Sequence, residues 1–208
     1  MIKSTEAFLQ EDKRPKKRTL QLAYYEKVAL FSGFEPIHVL DMPSANVQLS
    51  MEMMNDSGIS FDSYTAVEYD PAVAKRITRE VNHLAQDRGI RRVSTQTGDV
   101  LEVLDSRCCT KNNNAPIGFF NLDFCGAMGK SWRSFMLPHL LDKNGSDKFA
   151  LALTFCPRSP SRPVKKADHA LRVIAPEFYG LDLVYLEQNN YSDTSAMCSW
   201  LVFYKKRK

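Results

Sequence analysis

The sequence predicts an α/β fold: a mostly parallel sheet with helices on both faces, closed by an antiparallel hairpin. Three observations predict it. Short apolar runs of strand length alternate with helix-like stretches from Ile37 to Phe155. Such alternation implies parallel strands joined by helical crossovers. Two further strand-like runs, Leu181–Leu186 and Ala196–Tyr204, then follow with no helical pattern between them, as in a hairpin. Finally, acids stand at the ends of successive runs: Asp41, Glu68, Asp99 and Asp123. Ligands of parallel sheets collect at that end of the strands.

The elements follow in order. Leu20, Ala23, Tyr24, Val28, Leu30 and Phe31 recur at helical spacing, so residues 19–33 read as an amphipathic helix stopped by Gly33. Ile37–Asp41 is the first strand. Ser44 or Asn46 can cap the next helix, which carries Leu49, Met51, Met53 and Met54 and stops at Asn55-Asp56-Ser57-Gly58. Tyr64–Glu68 is the second strand. Asp70 then caps a helix with Pro71 at its first position, a buried stripe of Val73, Ile77, Val81 and Leu84, and a stop at Gly89. Arg92–Gln96 is a short third strand, followed by Thr97-Gly98-Asp99-Val100, and Lys111–Asn114 is a polar loop. Ile117–Asp123 is nearly all apolar, as a central parallel strand should be. Residues 130–141 read as a helix, Phe149–Phe155 as the fifth strand, and Lys165–Ile174 as a helix after a basic, proline-broken loop. The closing hairpin is expected to turn over Gln188–Asp193.

The totals narrow the class. The chain has 208 residues, enough for one sizeable domain. The expected division is a basic N-terminal segment and helix over 1–35, then a single domain over 36–208. No apolar run is long enough to cross a bilayer, and Met1-Ile2-Lys3-Ser4 does not begin a secretory leader, so a cytoplasmic location is expected. The 5 cysteines lack C-x-x-C spacing and the 4 histidines are scattered, which points away from a disulfide framework and from a structural metal. Net charge is +4, with the excess in three clusters. They are Lys13-Arg14-Pro15-Lys16-Lys17-Arg18, the group Arg158, Arg162, Lys165 and Lys166, and Lys205-Lys206-Arg207-Lys208. Clusters of this kind neutralise phosphates, so a nucleic-acid partner is expected. A protein partner or a second copy of the chain is the other expectation.

From about residue 37 onward, the order and placement of these features resemble the class I S-adenosylmethionine-dependent methyltransferases. The resemblance rests on Leu40-Asp41, Ala66-Val67-Glu68, Gly98-Asp99-Val100 and Asn121-Leu122-Asp123-Phe124. It implies a Rossmann-like, seven-stranded sheet and S-adenosylmethionine as cofactor. It also implies roles: Glu68 on the ribose hydroxyls with Tyr69 beside it, Asp99 and Val100 at the adenine, and Asn121 at the cofactor or the substrate amine. The remaining cofactor contacts would come from the turn after the first strand, Asp41, Pro43, Ser44, Ala45 and Asn46. That turn departs from the family, which places glycines there. Glycine allows positive φ and close approach of a ligand, whereas Pro43 removes an amide donor.

Asn121-Leu122-Asp123-Phe124 has the outline of the [DN]-P-P-[FY] motif of enzymes that methylate amino groups on bases. It matches at its first and last positions and lacks both prolines. The resemblance makes Asn121, Asp123 and Phe124 the candidate catalytic residues, the ring stacking on an extruded base. A second register compares Asp123-Phe124-Cys125-Gly126 and Cys156 with the RNA cytosine-C5 enzymes, which use a thiolate nucleophile. Two functions are therefore expected as alternatives. One is a methyltransferase acting on nucleic acid, on a base amino group. The other is a catalytically silent methyltransferase-like module that binds nucleic acid or a protein.

Overall fold

The computed structural model describes residues 15–43, 46–109, 116–124, 144, 146–156, 162–193 and 195–208, with backbone alone at 105–109 and 162–163. Seven strands form one sheet in the order β3-β2-β1-β4-β5-β7-β6, flanked by helices; β1–β2, β2–β3 and β4–β5 pair parallel, and β5–β7 and β6–β7 antiparallel. The chain divides into two compact units, Met1–Val103 and Leu104–Lys208. Among the described residues no helix is long and apolar enough to cross a membrane.

The first unit contains α1 (Pro15–Ser32), β1 (Ile37–Asp41), α2 (Val47–Asp56), β2 (Phe61–Glu68), α3 (Pro71–Arg88), β3 (Arg92–Thr97) and the start of α4 (Val100–Cys109). α1 begins earlier than its apolar spacing predicts, because Pro15 suits a first helical turn. Lys16, Lys17 and Arg18 therefore lie on the helix. Its buried face is Tyr24, Tyr25, Val28, Ala29 and Ser32, while Leu30, expected on the apolar face, is 67% exposed. α3 starts and stops where Asp70, Pro71 and Gly89 place it. The Asp70 carboxylate accepts the Ala72 and Val73 N–H groups at 2.8 and 3.2 Å, and Gly89 ends the helix at φ 67°. Its buried residues are Ala74, Ile77, Val81 and Ala85. Val73 and Leu84 are only half-buried, since the two alanines let the helix settle closely on the sheet. α4 was not foreseen as a helix. Asp99 starts it, taking the Leu101 N–H on its side chain and the Val103 N–H on its carbonyl.

The second unit contains the rest of α4, β4 (Phe119–Phe124), β5 (Lys148–Phe155), α5 (Arg162–His169, continuing as a π-helical turn over Ala170–Ile174), α6 (Ala175–Tyr179), β6 (Leu181–Ser192) and β7 (Ala196–Lys206). The expected helix over 130–141 and the loop Lys111–Asn114 lie outside the described residues. β4 starts two residues later than predicted. Asn144 explains this, because its side-chain amide bonds both the N–H and the carbonyl of Ile117, at 2.7 and 2.6 Å. The hairpin corrects a second expectation. Gln188 to Ser192 continue β6, and the chain reverses after Ser192. β6 is the last strand in the sheet order, so its polar residues stay partly solvated while their backbones pair with β7.

The widened turn in the helix before β6 has a local cause. The Ala175 N–H reaches the Ala170 carbonyl, a five-residue step. In that register the Leu171 carbonyl would face residue 176, which is proline and has no N–H. The Tyr204 hydroxyl on β7 donates to this carbonyl instead, at 2.6 Å. Tyr204→Phe strands a buried acceptor and is expected to lower the unfolding free energy by about 1–3 kcal/mol in urea denaturation. Adding Pro176→Ala should recover part of that loss by returning an N–H to the turn. A fully neutral Tyr204→Phe would contradict this account.

Candidate functional site

In the first unit the strand-end acids divide into two kinds. Asp41, at the end of β1, is fully buried. Its Oδ2 accepts the Tyr64 hydroxyl at 2.5 Å and the Ser50 hydroxyl at 2.6 Å. Tyr64 is on β2 and Ser50 on α2, so this carboxylate joins the end of one strand to the next strand and to the intervening helix. Burial, and then the Asp41 charge, hold the Tyr64 phenol well above its ordinary pKa. The short turn after Asp41 reaches Pro43, which is buried. Ser44 and Ala45 lie outside the described residues. Asn46 caps α2, accepting the Leu49 N–H at 3.1 Å on its side-chain oxygen.

Glu68 and Asp99 differ from Asp41. Glu68 is half-buried at the end of β2, and its Oε1 accepts the Asp70 N–H at 2.9 Å. The Asp99 side chain is exposed and accepts the Leu101 N–H at 2.8 Å on Oδ1. The second oxygen of each carboxylate has no hydrogen bond among the described residues. β2 and β3 run parallel with Glu68 opposite Thr97, so the two acids leave neighbouring strand ends. Gly98 fixes their relation. Its N–H bonds the Glu68 carbonyl at 3.0 Å, and its φ of 141° is a conformation that side chains rarely adopt. Tyr69 follows Glu68 and is 78% exposed, while Val100 is buried under the start of α4.

In the second unit Asn121, Asp123 and Phe124 are on β4. Asn121 is buried, and Asp123 and Phe124 are half-buried. Asn121 and Asp123 alternate onto one face, and Phe124 lies on the other. Opposite Asp123 on β5 stands Thr154, whose hydroxyl is 2.9 Å from that of Ser199 on β7. Cys156 is half-exposed beyond β5, and Cys125 lies outside the described residues.

The basic residues are less fully described. Lys13, Arg14 and Arg158 lie outside the described residues, as does the Arg162 side chain. Lys16 and Arg18 are exposed on the first turn of α1, Lys17 is half-buried, and Lys165 is exposed on α5. Part of the C-terminal cluster belongs to the sheet. Lys205 and Lys206 are in β7, and Arg207 bonds Asp182 at 2.8 Å. No group of three or more potential metal ligands occurs among the described residues.

Sequence reasoning did not find Ser50 and Tyr64 as the holders of Asp41. The available signal was a serine among the apolar residues of α2 and a phenol inside a buried strand.

The fold is similar to several solved structures. One is the O-methyltransferase from Bacillus cereus in complex with SAH, at TM-score 0.58 and 14% identity over 90% of this chain and 81% of that one. Another is an rRNA methylase from Streptococcus thermophilus, at TM-score 0.51 and 16% identity over 91% and 96%. A third is the cofactor-bound Rv0187 from MTB, at TM-score 0.52 and 14% identity over 88% and 80%. No family model matches the chain, and no curated protein sequence matches it. The likeness is one of fold: the chain has the Rossmann-like, seven-stranded fold of the class I S-adenosylmethionine-dependent methyltransferases.

The buried phenols make stability depend on alkali. Above the ordinary phenol pKa of 10.0 an unfolded chain releases protons that folded Tyr64 and Tyr204 retain. Their contribution is complete below that pH and is lost as the pH rises. Each should steepen the decline by up to about 1.4 kcal/mol per pH unit. In denaturation curves spanning roughly pH 9.5–11, Tyr64→Phe should flatten the slope by an amount that grows with pH toward one proton. An unchanged slope would mean that Tyr64 ionises normally in the fold.

Proposed function

We propose that this chain is an S-adenosylmethionine-dependent methyltransferase that acts on nucleic acid, on an amino group of a base. The pair Glu68 and Asp99 carries the reading. Each carboxylate has one oxygen tied to a nearby backbone N–H and the other without a bond among the described residues. They leave adjacent strand ends, with Gly98 between. A carboxylate of this kind can accept two ribose hydroxyls, and a second can accept an exocyclic amine. The residues therefore fit the adenosine half of the cofactor.

The cofactor supplies an electrophilic methyl group on a sulfonium. In this reading Glu68 orients the ribose, the exposed Tyr69 ring offers a stacking face, and Asp99 with Val100 borders the adenine. Asp41 is a positioning residue, because its carboxylate is taken up by Ser50 and Tyr64. Pro43, Ser44, Ala45 and Asn46 border the cofactor in place of the usual glycines. Asn121 and Asp123 hold the target amine through acceptor oxygens, directing its lone pair, while Phe124, the last residue of β4, stacks on a base lying beyond the strand end. Orientation and exclusion of water then account for the rate. Lys16, Lys17 and Arg18 on the first turn of α1, with Lys13, Arg14, Arg158, Arg162 and Lys165, contribute positive charge for phosphates. The first turn of α1 contains no acid, so its N-terminus favours anions too.

One observation favours a second reading, a catalytically silent module that binds nucleic acid or a protein. Pro43 stands in the turn where the fold usually presents glycine backbone to the cofactor.

Calorimetric titration with S-adenosylmethionine separates the two. Saturable binding is expected, weakened about 10- to 100-fold in Glu68→Ala through loss of charge-assisted hydrogen bonds. Its thermal midpoint should stay near that of the parent chain. Absence of heat at millimolar cofactor would sink the enzyme reading. Binding to single-stranded RNA should fall as salt rises, and Arg18→Ala combined with Lys165→Ala should reduce the salt slope by about 1–2 units. Equal affinity at low and high salt would remove nucleic acid from the proposal.

A further inference from the structure

Two free thiols occupy neighbouring positions at one end of the second unit's sheet. β5 and β7 are antiparallel, and Phe155, the last residue of β5, is opposite Cys198. Cys156 is the next residue. Adjacent strands stand about 4.8 Å apart and each residue advances about 3.4 Å. A one-residue offset therefore separates the two Cα atoms by roughly 6 Å, within the ~4.4–6.8 Å over which a disulfide closes. Cys156 has left the regular strand, so its side chain is not bound to the alternation of β5. The two sulfurs also feel each other: burial, and then the charge on Cys156, raise the Cys198 pKa.

Their surroundings differ in a way that assigns them separate roles. Cys198 is 5% exposed, and its S–H donates to the Asn190 side-chain oxygen on β6 at 2.8 Å. Cys156 is half-exposed. A soluble reagent therefore meets Cys156 first, and Cys198 remains a protonated thiol held nearby.

We propose that Cys156 and Cys198 form a reversible oxidation site that a hydroperoxide converts to a disulfide between the end of β5 and β7. The Cys156 thiolate attacks one peroxide oxygen. The O–O bond breaks, two electrons pass from sulfur to oxygen, and hydroxide or alkoxide leaves. This produces a sulfenic acid on Cys156. Cys198, giving up its proton, then attacks that sulfur. The S–O bond breaks, water leaves and the S–S bond forms. A small-molecule thiol reverses the change by exchange. The inference does not depend on the methyltransferase reading.

The test is peptide mapping of the full chain after hydrogen peroxide, with free thiols alkylated before trypsin digestion. The expected product joins residues 149–158 to residues 173–205, and a phosphine reductant should remove it. In Cys198→Ser the cross-link should vanish, and Cys156 should become trappable by a sulfenic-acid reagent such as dimedone. In Cys156→Ser, Cys198 should stay unoxidised under the same exposure. Cys156 lies at the rim of the strand, so this variant keeps the test open if Cys198→Ser fails to fold. Cys156 joined instead to Cys108, Cys109 or Cys125, or recovered only as thiol or sulfinic acid from the parent chain, would overturn the proposal.

Discussion

The arrangement of the first unit depends on a buried carboxylate. Asp41 stands at the end of β1 with no exposure, and ionised it would be costly unless hydrogen-bonded. Ser50 and Tyr64 supply those bonds. One residue thereby sets where the first strand stops, how α2 leaves it and how β2 lies beside it. The same arrangement keeps Asp41 from acting as a surface ligand. Glu68 at the end of β2 and Asp99 after β3 are instead each steadied by a backbone amide at one oxygen.

This division separates the glycine-poor turn after β1 from the acids at the ends of β2 and β3. In a glycine-rich turn the backbone itself approaches the cofactor. Here Pro43 is buried and Asn46 spends its side chain on the cap of α2. Both described residues thus serve the fold itself. Recognition of a nucleoside by this chain would rest more on the side chains of β2 and β3 than on the backbone after β1.

Much of this was legible in the sequence where the signal is local. Asp70, Pro71 and Gly89 bound α3 because a cap, a fixed φ and a left-handed residue each act within a turn of the chain. The strand-end position of Glu68 was legible because the end of the apolar run Tyr64–Val67 marks the end of a strand. Other features depended on partners far away. Gln188 to Ser192 read as a turn because they are polar, yet on an edge strand polar residues keep their water while the backbone pairs. Ile117 read as strand until Asn144 took both of its backbone groups. Val100, Leu101, Val103 and Leu104 form too short an apolar group to show a period, so α4 became visible only with Asp99 bonded to its first turn. The internal role of Asp41 could not be read, since Ser50 and Tyr64 lie 9 and 23 residues away.

The Leu171 carbonyl gives the order of assembly a chemical basis. Its donor, Tyr204, comes from the last strand, 33 residues later in the chain. Until that strand is in place, the segment before α6 has a carbonyl with no internal partner, and an ordinary α-helical step from Ala175 competes with the wider one. Synthesis from the ribosome delivers the helix well before the strand. A helix wound before that strand arrives would lack this donor, so its final winding would be a record that the sheet has closed.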